Sequence, residues 1–103
     1  MKFELTDSQM QTITQLCIRH SVGRLAIFGS AVTGGFRETD SDFDFTVVFE
    51  SQTGLRPADQ YFELKAALED LLGRTVDLVV DGAVRNRFFR EELDATAVVL
   101  YAA

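Results

Sequence analysis

The sequence of 103 residues is poor in several residue types, and each shortage excludes a class of protein. Its one cysteine, Cys17, excludes an internal disulfide framework. Its 10 basic residues are outnumbered by 16 acidic ones, which gives a net charge of -6, and no block rich in Lys or Arg occurs. The basic footprint that long nucleic acid requires is therefore missing, which argues against a polynucleotide substrate.

Long apolar runs are also missing. No uninterrupted stretch of about 18 apolar residues and no charged-then-apolar leader occurs, so we expect no membrane segment and a cytoplasmic protein. The hydrophobic content of 47% is ordinary for a globular protein, and 103 residues suffice for one modest core. We therefore expect a single domain over residues 1–103.

The first chemically informative feature is the end of an apolar run, residues 24–28, at Gly29 and Ser30. The run predicts a strand covered on both faces, and the next residues predict a short helix over 30–33 that ends at Gly34-Gly35. A helix N-terminus beside glycine can accept an anion such as phosphate. Because Gly-Ser and Gly-Gly are also ordinary turn dipeptides, these residues alone leave a phosphate site and a plain loop open.

Two acids, Asp42 and Asp44, open the next apolar run, residues 43–49, which predicts a strand. Buried carboxylates cost several kcal/mol unless they are paired or bound to metal, so acids at this place indicate a function. Residues two apart in a strand point to the same face, about 6.6 Å apart along the chain, so the two carboxylates should converge. Carboxylate oxygens suit Mg²⁺, and the pair can hold a divalent cation.

The first helix is predicted over residues 6–20 from its capping residues and the helical spacing of its apolar positions. Cys17 lies on the apolar stripe, which favours a buried, inert thiol over a nucleophile. His20 closes the helix, and a favourable contact with the helix C-terminus is preferred over a catalytic role.

A second helix is predicted over residues 58–72, with Pro57 before it and Gly73 after it, and it leads into a strand over 76–80. The strand-helix-strand order predicts that this strand is a buried neighbour of the one that carries the paired acids. Asp77 would then be a third carboxylate that converges on the pair.

The last segments predict a helix over residues 86–93, with Phe88 and Phe89 facing inward, and a strand or extended tail over 95–101. Three arginines are expected to face outward from this helix. A solvated face is the preferred interpretation, with contact to phosphate or to an acidic partner as the alternative. They are Arg85, Arg87 and Arg90.

Taken together, Gly29-Ser30, the acids of Ser41-Asp42-Phe43-Asp44 and the later Asp77 in VDLVV resemble the minimal nucleotidyltransferases (MNT) of the polymerase-beta superfamily. The resemblance continues through FELKAALEDLLGRTVDLVV and the ending AVVLY, so it covers nearly the whole chain. It implies an α/β (α+β) fold, the small nucleotidyltransferase fold, in which helices cover a mixed sheet of three to four strands.

The resemblance also implies a role for each matching residue. Gly29 and Ser30 would bind the phosphates of ATP, and Asp42, Asp44 and Asp77 would be the catalytic, metal-binding carboxylates. Of these, the first two would hold one or two Mg²⁺, and Asp77 would assist the attacking hydroxyl. The expected substrate is ATP and the expected cofactor is Mg²⁺.

The small members of this family are similar to the antitoxin half of HEPN/MNT toxin–antitoxin pairs. This implies an enzyme that transfers AMP from ATP to a hydroxyl, usually of tyrosine, on a helical HEPN-type partner. Many members have Ala-Arg-Gly where this chain has Val32-Thr33-Gly34, so a basic side chain near the phosphates is missing. This departure leaves one alternative open, a catalytically weak module that neutralises a HEPN-type partner by binding it. A further alternative, independent of Thr33, is a structural domain whose three acids are incidental.

Overall fold

The computed structural model describes residues 5–34, 42–50 and 56–103, and its helices begin and end at local sequence signals. The first helix starts with a capping box, in which the Gln9 N–H donates to the Thr6 hydroxyl at 3.1 Å and the Thr6 N–H donates to Oε1 of Gln9 at 2.9 Å. Pro57 occupies the first turn of another helix, and Gly73 ends that helix with a φ of 67°. In chain order the elements are α1 (Asp7–Arg19), β1 (Val22–Phe28), α2 (Ser30–Thr33), β2 (Phe43–Phe49), α3 (Pro57–Leu72), β3 (Val76–Val80), a 3₁₀ turn (Asp81–Ala83), α4 (Arg87–Thr96) and β4 (Val98–Ala102).

The four strands form one sheet in the order β3-β2-β1-β4. The central strand β1 pairs antiparallel with both β2 and β4, whereas β2 and β3 are parallel and are joined through α3. A parallel pair needs such a crossover because a tight turn can join only antiparallel strands. The predicted mixed sheet of three to four strands is thus confirmed, with four.

One face of the sheet packs against α1 and α3 and forms the main core. Along β2 every second side chain points to this face, which is why the strand alternates between buried phenylalanines and more polar residues. Strand residues with 0% exposure in this core are Leu25, Ile27, Phe43, Phe45 and Val47. The helices contribute Ile13, Leu16, Cys17, Leu64 and Leu68.

The opposite face is covered by α4. The ring of Phe89 meets the ring of Phe28 edge to face at 5.7 Å between centroids, and Leu93 is only 2% exposed. With helices on both sides, the centre of β1 is fully buried, as its continuous apolar sequence predicts. Among the described residues, no helix is both long enough and apolar enough to cross a membrane.

The structural roles predicted for the end of α1 are confirmed. Cys17 is fully buried, and burial raises the pKa of its thiol to about 12, so the reactive thiolate is suppressed. His20 caps the helix, and its Nδ1–H donates to the carbonyl oxygen of Leu16 at 2.9 Å. The same carbonyl also accepts from the backbone N–H of His20 at 2.9 Å, so the ring adds a second hydrogen bond at the end of the helix.

Two predictions for the C-terminal part are wrong. Phe88 is 72% exposed and only Phe89 turns inward, because neighbouring residues of a helix point about 100° apart and cannot share one buried direction. The helix also continues to Thr96, so the last strand begins at Val98 rather than at residue 95.

Candidate active site

The sheet places two of the predicted acids beside each other. Asp44 of β2 is the register partner of Asp77 of β3, and on its other side it is the partner of Phe28, the last residue of β1. Register partners on neighbouring strands point to the same face of a sheet, about 4.8 Å apart. These three residues thus form a row across the sheet, called here the acid row.

Asp77 lies on the predicted face, but its surroundings differ from the prediction. β3 is the edge strand, and Asp77 is exposed rather than part of a buried neighbour of β2. The strand-helix-strand order indicates correctly that β2 and β3 are adjacent and parallel, but it does not indicate which of the two strands lies at the edge. The exposure leaves the Asp77 carboxylate accessible to a molecule outside the fold.

Asp42 lies just before β2 begins, two residues ahead of Asp44, and it is exposed. Asp44 itself is half-buried. Burial raises the pKa of the Asp44 carboxyl, and the negative charges of Asp77 and then Asp42 raise this pKa further. Within the described residues, both charged groups that shift this pKa are therefore carboxylates, and an added cation would relieve their repulsion.

Gly29 lies directly against Asp44. A Cβ atom at this glycine would overlap Oδ2 of Asp44 and would lie only 3.2 Å from its Cγ. The glycine also has a φ of 76° and a ψ of -148°, a region of backbone conformation that residues with side chains rarely adopt. The turn after β1 and the carboxylate of β2 can approach this closely only because residue 29 has no side chain.

The predicted short helix after this glycine is confirmed as α2. The N–H groups of Val32 and Thr33 both donate to the Gly29 carbonyl at 3.0 Å, and Gly34 ends the helix with a φ of 106°. The N–H groups at the start of such a helix have no carbonyl partner within it, so they are suited to an anion. Gly35 and Ser41, which also belong to the motif, lie outside the described residues.

The carboxylates of Asp42 and Asp44 are suited to Mg²⁺ if substrate phosphates and water supply the remaining ligands. Across residues 5–34, 42–50 and 56–103, no three His, Cys, Asp or Glu side chains are close enough together to hold a metal ion by themselves. Mg²⁺ commonly binds through one or two carboxylates together with substrate phosphates and water. Asp42 and Asp44 supply the type and number of protein ligands that this mode of binding uses, and the ligand roles of Asp42, Asp44 and Asp77 stay predictions.

The three arginines near α4 are not equivalent. Arg90 donates to both carboxylate oxygens of Asp81, at 3.0 and 3.2 Å, and to Asp94 at 3.1 Å, so it is occupied within the fold. Arg87 lies 3.9 Å from Glu91. Arg85 is exposed and donates to the carbonyl of Gly82 at 2.6 Å. The spacing of arginines in the sequence could not separate these cases because Asp81 precedes the helix.

The sequence matches the family described as polymerase beta, nucleotidyltransferase, over residues 11–103. The chain belongs to this family. The family and the fold predicted from the motif are thereby confirmed, and the chemistry of the family is nucleotidyl transfer.

Curated relatives and solved structures agree with this assignment. The chain is 38% identical over 77 residues to MJ0128 of Methanocaldococcus jannaschii, assigned as a protein adenylyltransferase, and covers 74% of each chain. It is 40% identical over 68 residues to the protein adenylyltransferase MntA of Thermococcus cleftensis, covering 66% of this chain and 65% of MntA. A solved structure assigned as a minimal nucleotidyltransferase is 36% identical, with a TM-score of 0.71 and 88% coverage of each chain.

More distant structures share the fold. A toxin–antitoxin crystal structure with AMP-PNP contains a chain 21% identical to this one, with a TM-score of 0.70 and coverage of 91% of this chain and 73% of that chain. A chain in the toxin–antitoxin MntA-HepT structure is 18% identical, with a TM-score of 0.64 and coverage of 95% and 74%.

Proposed function

We propose that this protein is a Mg²⁺-dependent antitoxin that transfers AMP from ATP to a hydroxyl group, specifically of tyrosine, on a HEPN-type toxin. The observation that carries the proposal is the acid row beside Gly29, which brings a turn suited to phosphate against Asp44, a half-buried carboxylate whose pKa is raised by burial and by the neighbouring acids Asp77 and Asp42. The two relatives above that are named for protein adenylyl transfer support a protein as the acceptor.

Each group of the site has a task in this reaction. Ser30 and the first N–H groups of α2 hold and orient the phosphates of ATP, and Asp42 and Asp44 provide the oxygen ligands for Mg²⁺. When bound, Mg²⁺ supplies charge neutralisation for the phosphates. Asp77 is exposed at the sheet edge, where its carboxylate can accept a hydrogen bond from the acceptor hydroxyl and take its proton. The bond from the hydroxyl oxygen to the α-phosphorus of ATP forms as the bond from that phosphorus to the leaving pyrophosphate breaks.

The proposed partner is consistent with two features. The solved toxin–antitoxin complexes contain chains of this fold, one of them with the ATP analogue AMP-PNP. The net charge of -6 suits a protein acceptor better than the polyanionic backbone of RNA.

The proposal is tested by incubating the chain with its co-purified helical partner and α-labelled ATP. We expect label on the partner with Mg²⁺ and none with EDTA, and we expect Asp44→Asn to lower transfer by at least about 10²–10³-fold. Asp70→Asn, which changes an exposed aspartate on α3, is the matched control and should leave transfer unchanged. Equal labelling by the Asp44→Asn variant would refute the assigned site.

A second prediction concerns the phosphate-binding turn. Ser30→Ala should lower turnover by about 10²–10³-fold, since it removes one donor that positions the phosphates. Thr33→Arg should tighten ATP binding, because residue 33 is exposed at the end of α2 and an arginine there adds a charge-assisted contact. Titration calorimetry with ATP and Mg²⁺ measures both variants, and two unchanged affinities together with unchanged turnover would exclude this turn as the nucleotide site.

The alternative function is neutralisation of a HEPN-type toxin by binding alone. It is favoured by one observation, the exposed Thr33 in place of the basic residue that many family members have at this point. A stable complex with the partner that carries no label in the assay above would support this alternative.

A further inference from the structure

A groove of about 430 Å³ opens beside the edge strand, on the side of the acid row away from Gly29. Its walls come from α3, from the end of β3, from the 3₁₀ turn and from the start of α4. Most of its lining is apolar, including Val79, Val80, Val84 and Phe89, while Tyr61 and Asn86 provide polar groups at its margin. Among the groups of the acid row and the phosphate turn, none lines this groove, so the proposed catalytic roles leave it unused.

The order of the acid row indicates which substrate approaches from the groove side. Across the sheet, the phosphate-binding turn follows Phe28, Asp44 comes next and Asp77 is last. An in-line displacement requires the attacking hydroxyl and the leaving pyrophosphate on opposite sides of the reacting phosphorus. With the leaving phosphates at the turn, the acceptor must arrive from the β3 side. Val79 lies two residues beyond Asp77 on the same face, about 6.6 Å along the strand.

The outer edge of β3 is already occupied by side chains of α3. The N–H of Val76 donates to Oε2 of Glu69 at 2.9 Å, and the carbonyl of Leu78 accepts from the Tyr61 hydroxyl. These backbone groups face away from β2. The carbonyl of the preceding residue, Thr75, faces β2 and accepts from the Phe43 N–H, and backbone groups of successive strand residues point to opposite sides. A peptide that extends the sheet would have to displace both of these hydrogen bonds, so the apolar groove is better suited to side chains.

We propose that this groove holds the apolar side chain that neighbours the hydroxyl-bearing residue of the acceptor protein. This inference rests on the proposed function. Arg85 is exposed at the margin, and its guanidinium contacts only carbonyl oxygens among the described residues, those of Gly82 and Val84. An acidic residue next to the acceptor hydroxyl complements this arginine. The acceptor segment thus consists of an apolar residue, the hydroxyl-bearing residue and an acidic residue.

The test uses two peptides, acetyl-Leu-Tyr-Glu-amide and acetyl-Gly-Tyr-Gly-amide, titrated into the full chain with Mg²⁺ and AMP-PNP and followed by ¹H–¹⁵N NMR. We expect the first peptide to bind at least about tenfold tighter, the gain typical of burying one leucine side chain, and to shift the amides of Val79, Val84 and Asn86. Ala83→Trp should abolish this preference, because residue 83 lines the groove and is exposed, so that a large ring fills the groove without removing packed atoms.

Ala95→Trp is the matched control, since it places the same ring on an exposed position of α4 outside the groove. Arg85→Glu is a second variant that leaves the groove open. It should lower the affinity for the Glu-containing peptide by several-fold. AMP-PNP binding should stay the same in all variants.

The outcomes separate this inference from the proposed function. Equal binding of both peptides, or a preference that survives Ala83→Trp, overturns the groove inference while leaving nucleotide binding intact. Loss of AMP-PNP binding in Ala83→Trp with unchanged peptide binding assigns the groove to the nucleotide and also overturns the inference. Selective peptide binding without adenylyl transfer from ATP to the peptide or to the partner supports the groove and contradicts the proposed function.

Discussion

At the scale of single residues, the charge on Asp44 makes the fold sensitive to pH. Its pKa is raised by burial, by Asp77 and by Asp42, so the folded state binds a proton more readily than the unfolded state. The free energy of unfolding must then fall as pH rises from the ordinary carboxylate pKa through the raised one, and the loss is complete above it.

This linkage gives a prediction for Asp44→Asn. In EDTA the variant should be more stable than the native chain at neutral pH and should lack the decline of stability through that acidic window, since no charge repels Asp42 and Asp77. Urea unfolding at several pH values measures the effect. Asp70→Asn, at an exposed position of α3, is the control. Parallel pH profiles for the native chain and Asp44→Asn would contradict the assignment of the repulsion.

Two features require glycine at position 29, the close contact with Asp44 and the positive φ. Gly73 has a positive φ without a close contact, so comparing the two glycines distinguishes these effects. Gly29→Ala adds a Cβ that overlaps the Asp44 carboxylate. It also places alanine in a backbone conformation nearly exclusive to glycine, and this strain alone should lower the free energy of unfolding by about 1–3 kcal/mol. Gly73→Ala, at a φ of 67°, has strain of about 1–2 kcal/mol but no atom within 4 Å of the new Cβ.

We therefore expect Gly29→Ala to lose more stability than Gly73→Ala and also to lose adenylyl transfer, because it displaces Asp44. Gly73→Ala should keep its transfer rate. Chemical denaturation and the α-labelled ATP assay together measure the pair. Full activity in Gly29→Ala would mean that Asp44 need not lie against the turn.

At the scale of elements, one buried hydrogen bond ties the two core helices together. The Gln60 side chain of α3 is 5% exposed, and its Nε2 donates to the carbonyl of His20 at the end of α1, at 2.8 Å. Gln60→Ala leaves this carbonyl without its side-chain donor and should cost about 1–3 kcal/mol of unfolding free energy.

The matched control is Gln15→Ala, on an exposed position of α1, which should stay within about 0.5 kcal/mol of the native chain. Thermal and urea unfolding of both variants decide the comparison. Equal stability of the two variants would show that water replaces Gln60 without penalty.

Elements defined by local signals could be predicted from the sequence, and those defined by distant partners could not. The bounds of β2 and β3 and the Gly73 stop of α3 follow from apolar runs and glycine. β1 begins at Val22 rather than at residue 24 because Val22 pairs with Phe49, far along the chain. Such long-range pairing cannot be recognised from the local pattern of residues.

At the scale of the whole molecule, the order of the strands brings motifs that are distant in the sequence together at one site. The sequence identified the candidate residues of the site because acids in apolar strands are conspicuous. It did not predict that Phe28 and Asp77 flank Asp44 in register, or that β3 is the edge strand, because strand order depends on packing between distant segments. The exposure of Asp77 and the groove beside it follow from that order.

The pairing of β1 with β4 has a consequence for how the protein is made. Arg24 pairs with Ala102, so the two strands are separated by most of the chain. While the ribosome synthesises the chain, β1 can pair with β2 early, but its other edge stays open until β4 leaves the exit tunnel. An open edge beside apolar residues is a site for pairing with other chains. The nascent chain therefore keeps this edge of β1 open to pairing with other chains until β4 has emerged.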